Sequence, residues 1–225
     1  MANKPKKNVD DQRLAPRAVV SRLSLYLRQL EALQATGQTR VSSNQIATIL
    51  QLRDAQVRKD LAFFGQFGHP GIGYNIDELQ ASIRKAIGTD RLWPIALVGI
   101  GNLGRALMRY REFDRHGFRI AAVFDSDPKK IGTTIQDYPI HAIESISEVA
   151  VANHISLAAL TVPAEVAQDV VNRLIESGIR GILNFAPVAL RVPADVSVVS
   201  VDLSVQLEQL VYKVAHAGGG VSYSS

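Results

Sequence analysis

The sequence predicts an α/β chain in two parts, a mainly helical N-terminal part followed by a parallel sheet with crossover helices. Three observations carry this. At 225 residues the chain exceeds a typical single domain of about 150. Up to about residue 87 its apolar residues recur at helical spacing. From about residue 95, short apolar strands alternate with helices, the pattern of a parallel sheet.

The composition, 47% hydrophobic and 20% charged, supplies buried cores and argues against wholesale disorder. No stretch reaches the roughly 18 uninterrupted apolar residues of a membrane span, and MANKPKKNVDDQR lacks a signal-peptide core, so a cytoplasmic protein is expected. The absence of cysteine removes disulfides, thiolate nucleophiles and cysteine-ligated zinc. Residues 1 to 93 hold 14 Lys and Arg against 8 Asp and Glu, whereas the remainder holds 11 against 13. The first half is therefore suited to an anionic polymer, with a solvated basic face as the plainer alternative.

In the N-terminal part, Pro16 to Gly37 reads as a helix through Leu23, Leu27 and Leu30. Ser42 and Gln45 have capping-box spacing and open a second, short helix with Ile46, Ile49 and Leu50 on one face. Asp54 is expected to N-cap a third, leaving Gln51 to Arg53 as the turn of a helix-turn-helix. On the third helix Val57, Leu61 and Phe64 share one side, and Ala55, Arg58, Lys59 and Ala62 the other. Small alanines allow close approach to a groove wall, Arg58 can make bidentate contacts with guanine or phosphate, and Lys59 can neutralise phosphate. FGQFGHPGIGY then concentrates Gly65, Gly68, Gly71 and Gly73 before Tyr74, which suits a β-hairpin wing, with a plain glycine-rich connector as the alternative. As a phosphate cradle it fails, because no Lys-Ser or Lys-Thr follows.

After an amphipathic stretch over Leu79, Ile83 and Ile87, Gly88 to Pro94 reads as a linker. The second part is then expected to contain strands over Ile95 to Val98, Ile120 to Phe124, Ile155 to Val162 and Ile182 to Phe185, with helices after Gly101 and over Glu165 to Glu176. The first strand runs into GIGNLG. In this spacing Gly99 closes the turn, Gly101 lets a pyrophosphate approach the backbone, and Gly104 lets the helix pack on its strand, with Asn102 and Leu103 opening that helix. The second strand ends at Asp125, 21 residues beyond Gly104, where an acid can bond both ribose hydroxyls. The second part therefore reads as a Rossmann-type dinucleotide-binding domain. An acid at the ribose favours NAD over NADP, although Lys129 and Lys130 lie close by in sequence; Asp127, before Pro128, reads as a turn residue.

A dehydrogenase would also need a substrate site and a positioned acid or base. The residues after the Leu157 to Val162 strand are too few for a substrate domain, and His116, His141, His154 and His216 have no metal-binding or relay spacing. No catalytic or metal-binding residue is assigned. Three function classes remain: a redox-controlled repressor, an NAD-dependent oxidoreductase with an accessory N-terminal domain, and a nucleotide-binding module for a ligand such as coenzyme A.

Over roughly Pro16 to Val214 the chain resembles the Rex family of redox-sensing transcriptional repressors. The motifs that carry the resemblance are SRLSLYLRQLE, QVRKDLAFFGQFGHPGIGY, LVGIGNLGRAL, FDSDPKKIG, LTVPAE, GILNFAPV and VDLSVQLEQL, all in order. The resemblance implies an N-terminal winged helix-turn-helix domain, a Rossmann-type parallel-sheet domain, and a C-terminal dimerisation helix exchanged between the subunits of a homodimer. It also implies that the NAD+-bound or free form holds operator DNA and that NADH releases it.

The domains expected are the winged helix over 16 to 87, the linker over 88 to 94, the Rossmann domain over 95 to 203, the exchanged helix over 204 to 217 and a loose tail over 218 to 225, preceded by an extension over 1 to 15 that lies outside the resemblance and reads as a disordered basic arm or merely a tail. Operator contacts fall to Ser43, Gln56, Arg58, Lys59, Gly71, Gly73 and Tyr74. The dinucleotide falls to Gly99, Gly101, Asn102, Leu103, Gly104 and Asp125, with Thr161, Val162, Pro163, Asn184, Phe185, Ala186 and Pro187 on the nicotinamide side. Leu203 stands where relatives often carry Phe. Arg28 of the YLR motif, Tyr110 and Asp202 of the VDL motif are implied to meet across the subunit boundary when NADH is bound.

Overall fold

The computed structural model describes residues 15–65 and 73–217. The expected N-terminal arm, most of the wing including Gly68 and Gly71, and the C-terminal tail lie outside the described residues. The chain divides into two compact units, Met1–Arg91 and Leu92–Ser225.

The first unit begins with α1 (Arg17–Ala35), followed by β1 (Arg40–Val41), α2 (Ser43–Leu50), α3 (Asp54–Phe63), β2 (Tyr74–Asn75) and α4 (Ile76–Ile87). The capping box of α2 is formed: the Ser42 hydroxyl accepts from the Gln45 amide, and the Gln45 side chain accepts from the Ser42 amide. Gln51 in the left-handed region ends α2 and reverses the chain into α3. The N-cap of α3 is Arg53 rather than Asp54. Asp54 is the first helical residue, where its carboxylate faces the helix dipole without capping an amide. Leu23, Tyr26, Leu27 and Leu30 of α1 pack with Ile46, Val57, Leu61, Ile76, Leu79 and Ile83 as one core.

Among the described residues the end of the expected wing pairs with a short strand ahead of α2. Tyr74 and Asn75 run antiparallel to Val41 and Arg40, residues that precede α2. A two-residue strand leaves no periodicity to read, which is why β1 was not expected.

The second unit runs β3 (Trp93–Val98), α5 (Asn102–Met108), α6 (Glu112–Arg115), β4 (Phe118–Asp125), β5 (Thr134–Ile135), β6 (Tyr138–Ala142), α7 (Ile146–Ala152), β7 (Leu157–Leu160), α8 (Ala164–Glu176), β8 (Gly181–Asn184), β9 (Ser197–Ser200) and α9 (Leu203–Ala217). The sheet order is β5-β6-β4-β3-β7-β8-β9, parallel except for the β5-β6 hairpin. Without β5 this is the doubly wound order 3-2-1-4-5-6. The third expected strand stops at Leu160, because Thr161 to Pro163 turn away to N-cap α8.

Alternate residues of β3 face opposite sides, as a strand buried on both faces requires. Ala96 and Val98 join the core under α7 and α8, while Ile95 and Leu97 join Met108 of α5 on the other side. A register shift between Ile95 and Ala96 lets Ile120 and then Ala122 pair with successive residues, so β4 carries one extra residue, Ala121. No helix among the described residues is long and apolar enough to cross a membrane.

Candidate dinucleotide site and nucleic-acid interface

The centre of the sheet is where its winding reverses, between β3 and β7, and ligands of such sheets bind beyond the carboxyl ends of these strands. Gly99 follows β3, Asp125 ends β4, Thr161 follows β7 and Phe185 follows β8. The sequence-predicted dinucleotide residues are therefore brought to one edge.

The three glycines differ in what they permit. Gly99 has φ of 94°, and a Cβ there would meet the Thr161 carbonyl oxygen at 2.8 Å and Val162 Cγ1 at 2.9 Å. A Cβ at Gly104 would overlap the Gly99 carbonyl oxygen. These two are required by the turn and by the packing of α5 on β3. Gly101 has nothing within 4 Å of its Cβ position, so its open side faces the space a pyrophosphate would take. The turn is fastened from β7: the Thr161 hydroxyl lies 2.6 Å from the Gly99 carbonyl, and the Thr161 amide donates to Val98 at 2.9 Å. Asn102 and Leu103 are exposed on the first turn of α5.

Asp125 is buried, and its carboxylate already has partners. Oδ2 accepts from the Ile100 amide at 2.8 Å and from Lys130 Nζ at 2.9 Å; Oδ1 accepts from the Asp127 amide at 2.9 Å. Burial pushes this carboxyl up, but the Asp127 amide, Lys130 and the Ile100 amide outweigh burial and hold it below its ordinary value. The acid is thus ionised and pre-aimed, with Oδ1 keeping acceptor capacity for a ribose hydroxyl. Lys130, read from sequence only as a nearby cation, is its ion-pair partner. Asp127 is a turn residue, accepting from the Lys129 amide at 2.9 Å.

Of the residues expected on the nicotinamide side, Val162 is half-buried over the glycine turn and Pro163 N-caps α8. Asn184 is fully buried: its Nδ2 donates to the Val188 carbonyl at 3.0 Å, and its Oδ1 accepts from the Ala186 amide at 2.9 Å. It shapes the loop after β8 that carries Phe185, Ala186 and Pro187. Phe185 is half-buried and its amide donates to Leu160 at 2.9 Å, which ties that loop to the end of β7.

In the first unit Ala55, Arg58, Lys59 and Ala62 form the exposed face of α3, opposite buried Val57 and Leu61. Arg58 is ion-paired with Asp54 at 2.9 Å but keeps 61% of its side-chain exposure. Gly73 at φ of 77° closes on β1, where a Cβ would meet the Val41 carbonyl oxygen at 2.7 Å. Tyr74 then lies against both helices. Burial pushes its phenol above 10.0 and the Asp54 carboxylate adds to the shift, opposed by Arg58 and by a hydrogen bond with the Ser43 side chain. Ser43, Arg58 and Tyr74 are thereby gathered at one end of α3. Gln56, half-buried on α3, is held by Asp60, its Nε2 donating to Asp60 Oδ1 at 2.7 Å.

Asp60, not singled out from the sequence, is buried and hydrogen-bonded to Arg22 and Tyr26 as well. Its signal was a carboxylate inside the apolar stripe Val57, Asp60, Leu61 and Phe64, at spacing i, i+3, i+4 and i+7. Of the proposed coupling residues, Arg28 is exposed on α1 in the first unit. In the second unit Tyr110 is half exposed and packs edge-on against Phe113, with ring centroids 5.2 Å apart. Asp202 caps α9, its Oδ1 accepting from the Ser204 amide at 2.9 Å.

Two family models match the chain: a putative DNA-binding protein N-terminus over residues 15–62 and a CoA binding domain over residues 90–188. The redox-sensing transcriptional repressor Rex of Carboxydothermus hydrogenoformans is 48% identical over 199 residues, covering 88% of this chain and 96% of that protein. Rex of Desulfitobacterium hafniense is 44% identical, covering 88% and 95%. Among solved structures, RSP, a Rex-family repressor, in complex with NAD+ and operator DNA superposes with a TM-score of 0.86 at 34% identity, covering 92% of this chain and 95% of that one. Its complex with NADH gives 0.82 at 32%, covering 92% and 97%. With relatives at this identity spanning both units, the chain belongs to the Rex family of redox-sensing transcriptional repressors.

Proposed function

We infer that the chain is a regulator and not an enzyme: a repressor that holds palindromic operator DNA when its pocket is empty or carries NAD+, and releases it when NADH binds. The observation that carries the reading is the match of relatives named redox-sensing transcriptional repressors across both units at once. An oxidoreductase or a coenzyme A module would not need the helix-turn-helix, and coenzyme A would not need the ionised Asp125.

The first unit supplies DNA contacts through Arg58 and Lys59 of α3, with Ser43, Gln56, Gly73 and Tyr74 beside them and Gly71 in the wing. The second supplies the pocket: Gly99, Gly101, Asn102, Leu103 and Gly104 around the pyrophosphate, Asp125 at the ribose, and Thr161, Val162, Pro163, Phe185 and Ala186 toward the nicotinamide, with Asn184 holding the last loop in shape. Oxidised nicotinamide carries a positive charge and the reduced ring does not, so desolvation against Val162 and Phe185 favours NADH.

The active form is a homodimer. Every described side chain of α9 is exposed, including Leu203, Leu207, Leu210, Val211 and Val214, an apolar surface a second subunit would cover. A two-fold axis matches a palindromic operator. Arg28, Tyr110 and Asp202 couple ligand to DNA across that dimer, and the protein acts in the cytoplasm, where chromosomal DNA lies. Calorimetry with NADH, NAD+, NADPH and coenzyme A tests the pocket. NADH is expected to bind most tightly; preference for coenzyme A would overturn the reading.

A further inference from the structure

The inward stripe of α3 contains a carboxylate where packing alone would place an aliphatic side chain. Asp60 is 2% exposed and flanked by Val57 and Leu61. Burying an ionised carboxylate is costly unless its lone pairs are filled. Here three side chains fill them. Arg22 of α1 approaches as a fork, with Nε at 2.5 Å from Oδ2 and Nη2 at 2.8 Å from Oδ1. The Tyr26 hydroxyl, one turn further along α1 and itself fully buried, donates to Oδ2 at 2.7 Å. Gln56, one turn earlier on α3, donates to Oδ1 at 2.7 Å.

A buried ion pair of this kind is weak evidence for stability, since well-packed apolar side chains often do as well. What an apolar contact cannot supply is direction. Leucine against leucine tolerates a helix rolling about its axis, whereas a bidentate fork and a phenol closing on one carboxylate from α1 fix the roll of α3. Roll matters on the other side of the same helix. Arg58 and Lys59 stand about 200° and 100° around the helix from Asp60. A roll of roughly 20° at a side-chain radius of about 6 Å displaces them by about 2 Å, enough to break a hydrogen bond to a base edge. The bond from Gln56 Nε2 also fixes which way round that amide faces, leaving its carbonyl and second N–H for a base.

We propose that Asp60, clamped by Arg22 and Tyr26, is a positioning residue for sequence recognition: it sets the roll of α3 and the orientation of Gln56, and so controls operator selectivity more than stability or overall DNA affinity. This rests on α3 being the recognition helix.

The test compares full-length protein with Asp60→Asn and with the apolar double variant Arg22→Met, Asp60→Leu, the second chosen to restore packing without direction. Fluorescence anisotropy measures binding to the selected operator palindrome and to a scrambled duplex, alongside calorimetric NADH affinity and the melting temperature. Arg58→Ala, Lys59→Ala serves as the reference. The expected result for the apolar double variant is a melting temperature near that of the native protein, NADH and scrambled-duplex affinities within about twofold, and at least tenfold loss of operator preference. Native selectivity in that variant, with the Arg58→Ala, Lys59→Ala reference losing operator binding, would overturn the positioning role and leave α3 as the recognition helix. Native operator binding by the reference would remove that reading, and the proposal with it.

Discussion

Asp125 illustrates how a single residue's chemistry depends on what already holds it. Its carboxylate is fastened by the Ile100 and Asp127 amides and neutralised by Lys130, so in the proposed site discrimination at the ribose would belong to the Asp125–Lys130 pair, not to the acid alone. Asp125→Ala would leave Lys130 only its longer pair with Asp127 at 3.8 Å, freeing much of its charge for a 2′-phosphate. The variant is expected to lose most of its preference for NADH over NADPH in calorimetric titration; an undiminished preference would show that selectivity lies elsewhere. Asp60 makes the corresponding case for stability. Burial pushes its carboxyl up, but hydrogen bonds from Arg22, Tyr26 and Gln56 outweigh burial and hold it below 3.8. A carboxyl depressed on folding contributes stability that is present above 3.8 and is lost as pH falls through its folded value. Asp60→Ala, which unlike the apolar double variant strands Arg22 and Tyr26 without their acceptor, is accordingly expected to cost about 3 kcal/mol at neutral pH, the low end for a broken buried pair because Arg22 keeps 24% of its exposure. In denaturant titrations this cost should shrink below pH 3.8; a cost independent of pH would show that packing, not charge, is what Asp60 supplies. Its partners lie 34 and 38 residues away, on α1, a separation that no local spacing rule can bridge.

The elements divide by whether their signals are local. α1, α2, α3, α4, β3, β4, α8 and the glycine turn were legible because periodicity, a capping box and the GxGxxG spacing all lie within single segments. β1, β5, β6, α6 and α7 were not. They are short, and strands such as Arg40–Val41 exist only because a distant partner, Tyr74–Asn75, supplies their hydrogen bonds. At α3 the outward face was legible from its 100° steps, while the inward role of Gln56 was not, because it depends on Asp60. The expectation for this element is that Arg58→Ala, Lys59→Ala abolishes specific operator binding with little change in melting temperature, since both side chains are exposed. Loss of phosphate contacts should also flatten the salt dependence of residual binding. Gel shifts unchanged from the native protein would contradict the assignment.

For the whole molecule the question is how ligand and DNA communicate, because NADH shifts the equilibrium only by favouring one arrangement of the proposed dimer. A charge-assisted bond between Arg28 and Asp202, steadied by the Tyr110 hydroxyl, is the proposed contact, with a coupling of about 1 to 3 kcal/mol. Asp202 now caps α9, and using its second oxygen for Arg28 would leave that cap intact. Asp202→Ala is expected to bind NADH and operator separately yet to release DNA poorly when NADH is added; normal release would place the coupling in other residues. The central claim, that one chain reads the nicotinamide pool and answers through DNA, is tested most directly by one titration. Labelled operator bound to the protein is followed by anisotropy as the NADH fraction rises at constant total nicotinamide. The account predicts release while NAD+ is still in excess, with no release by coenzyme A. Operator that stays bound at every NADH fraction would contradict it.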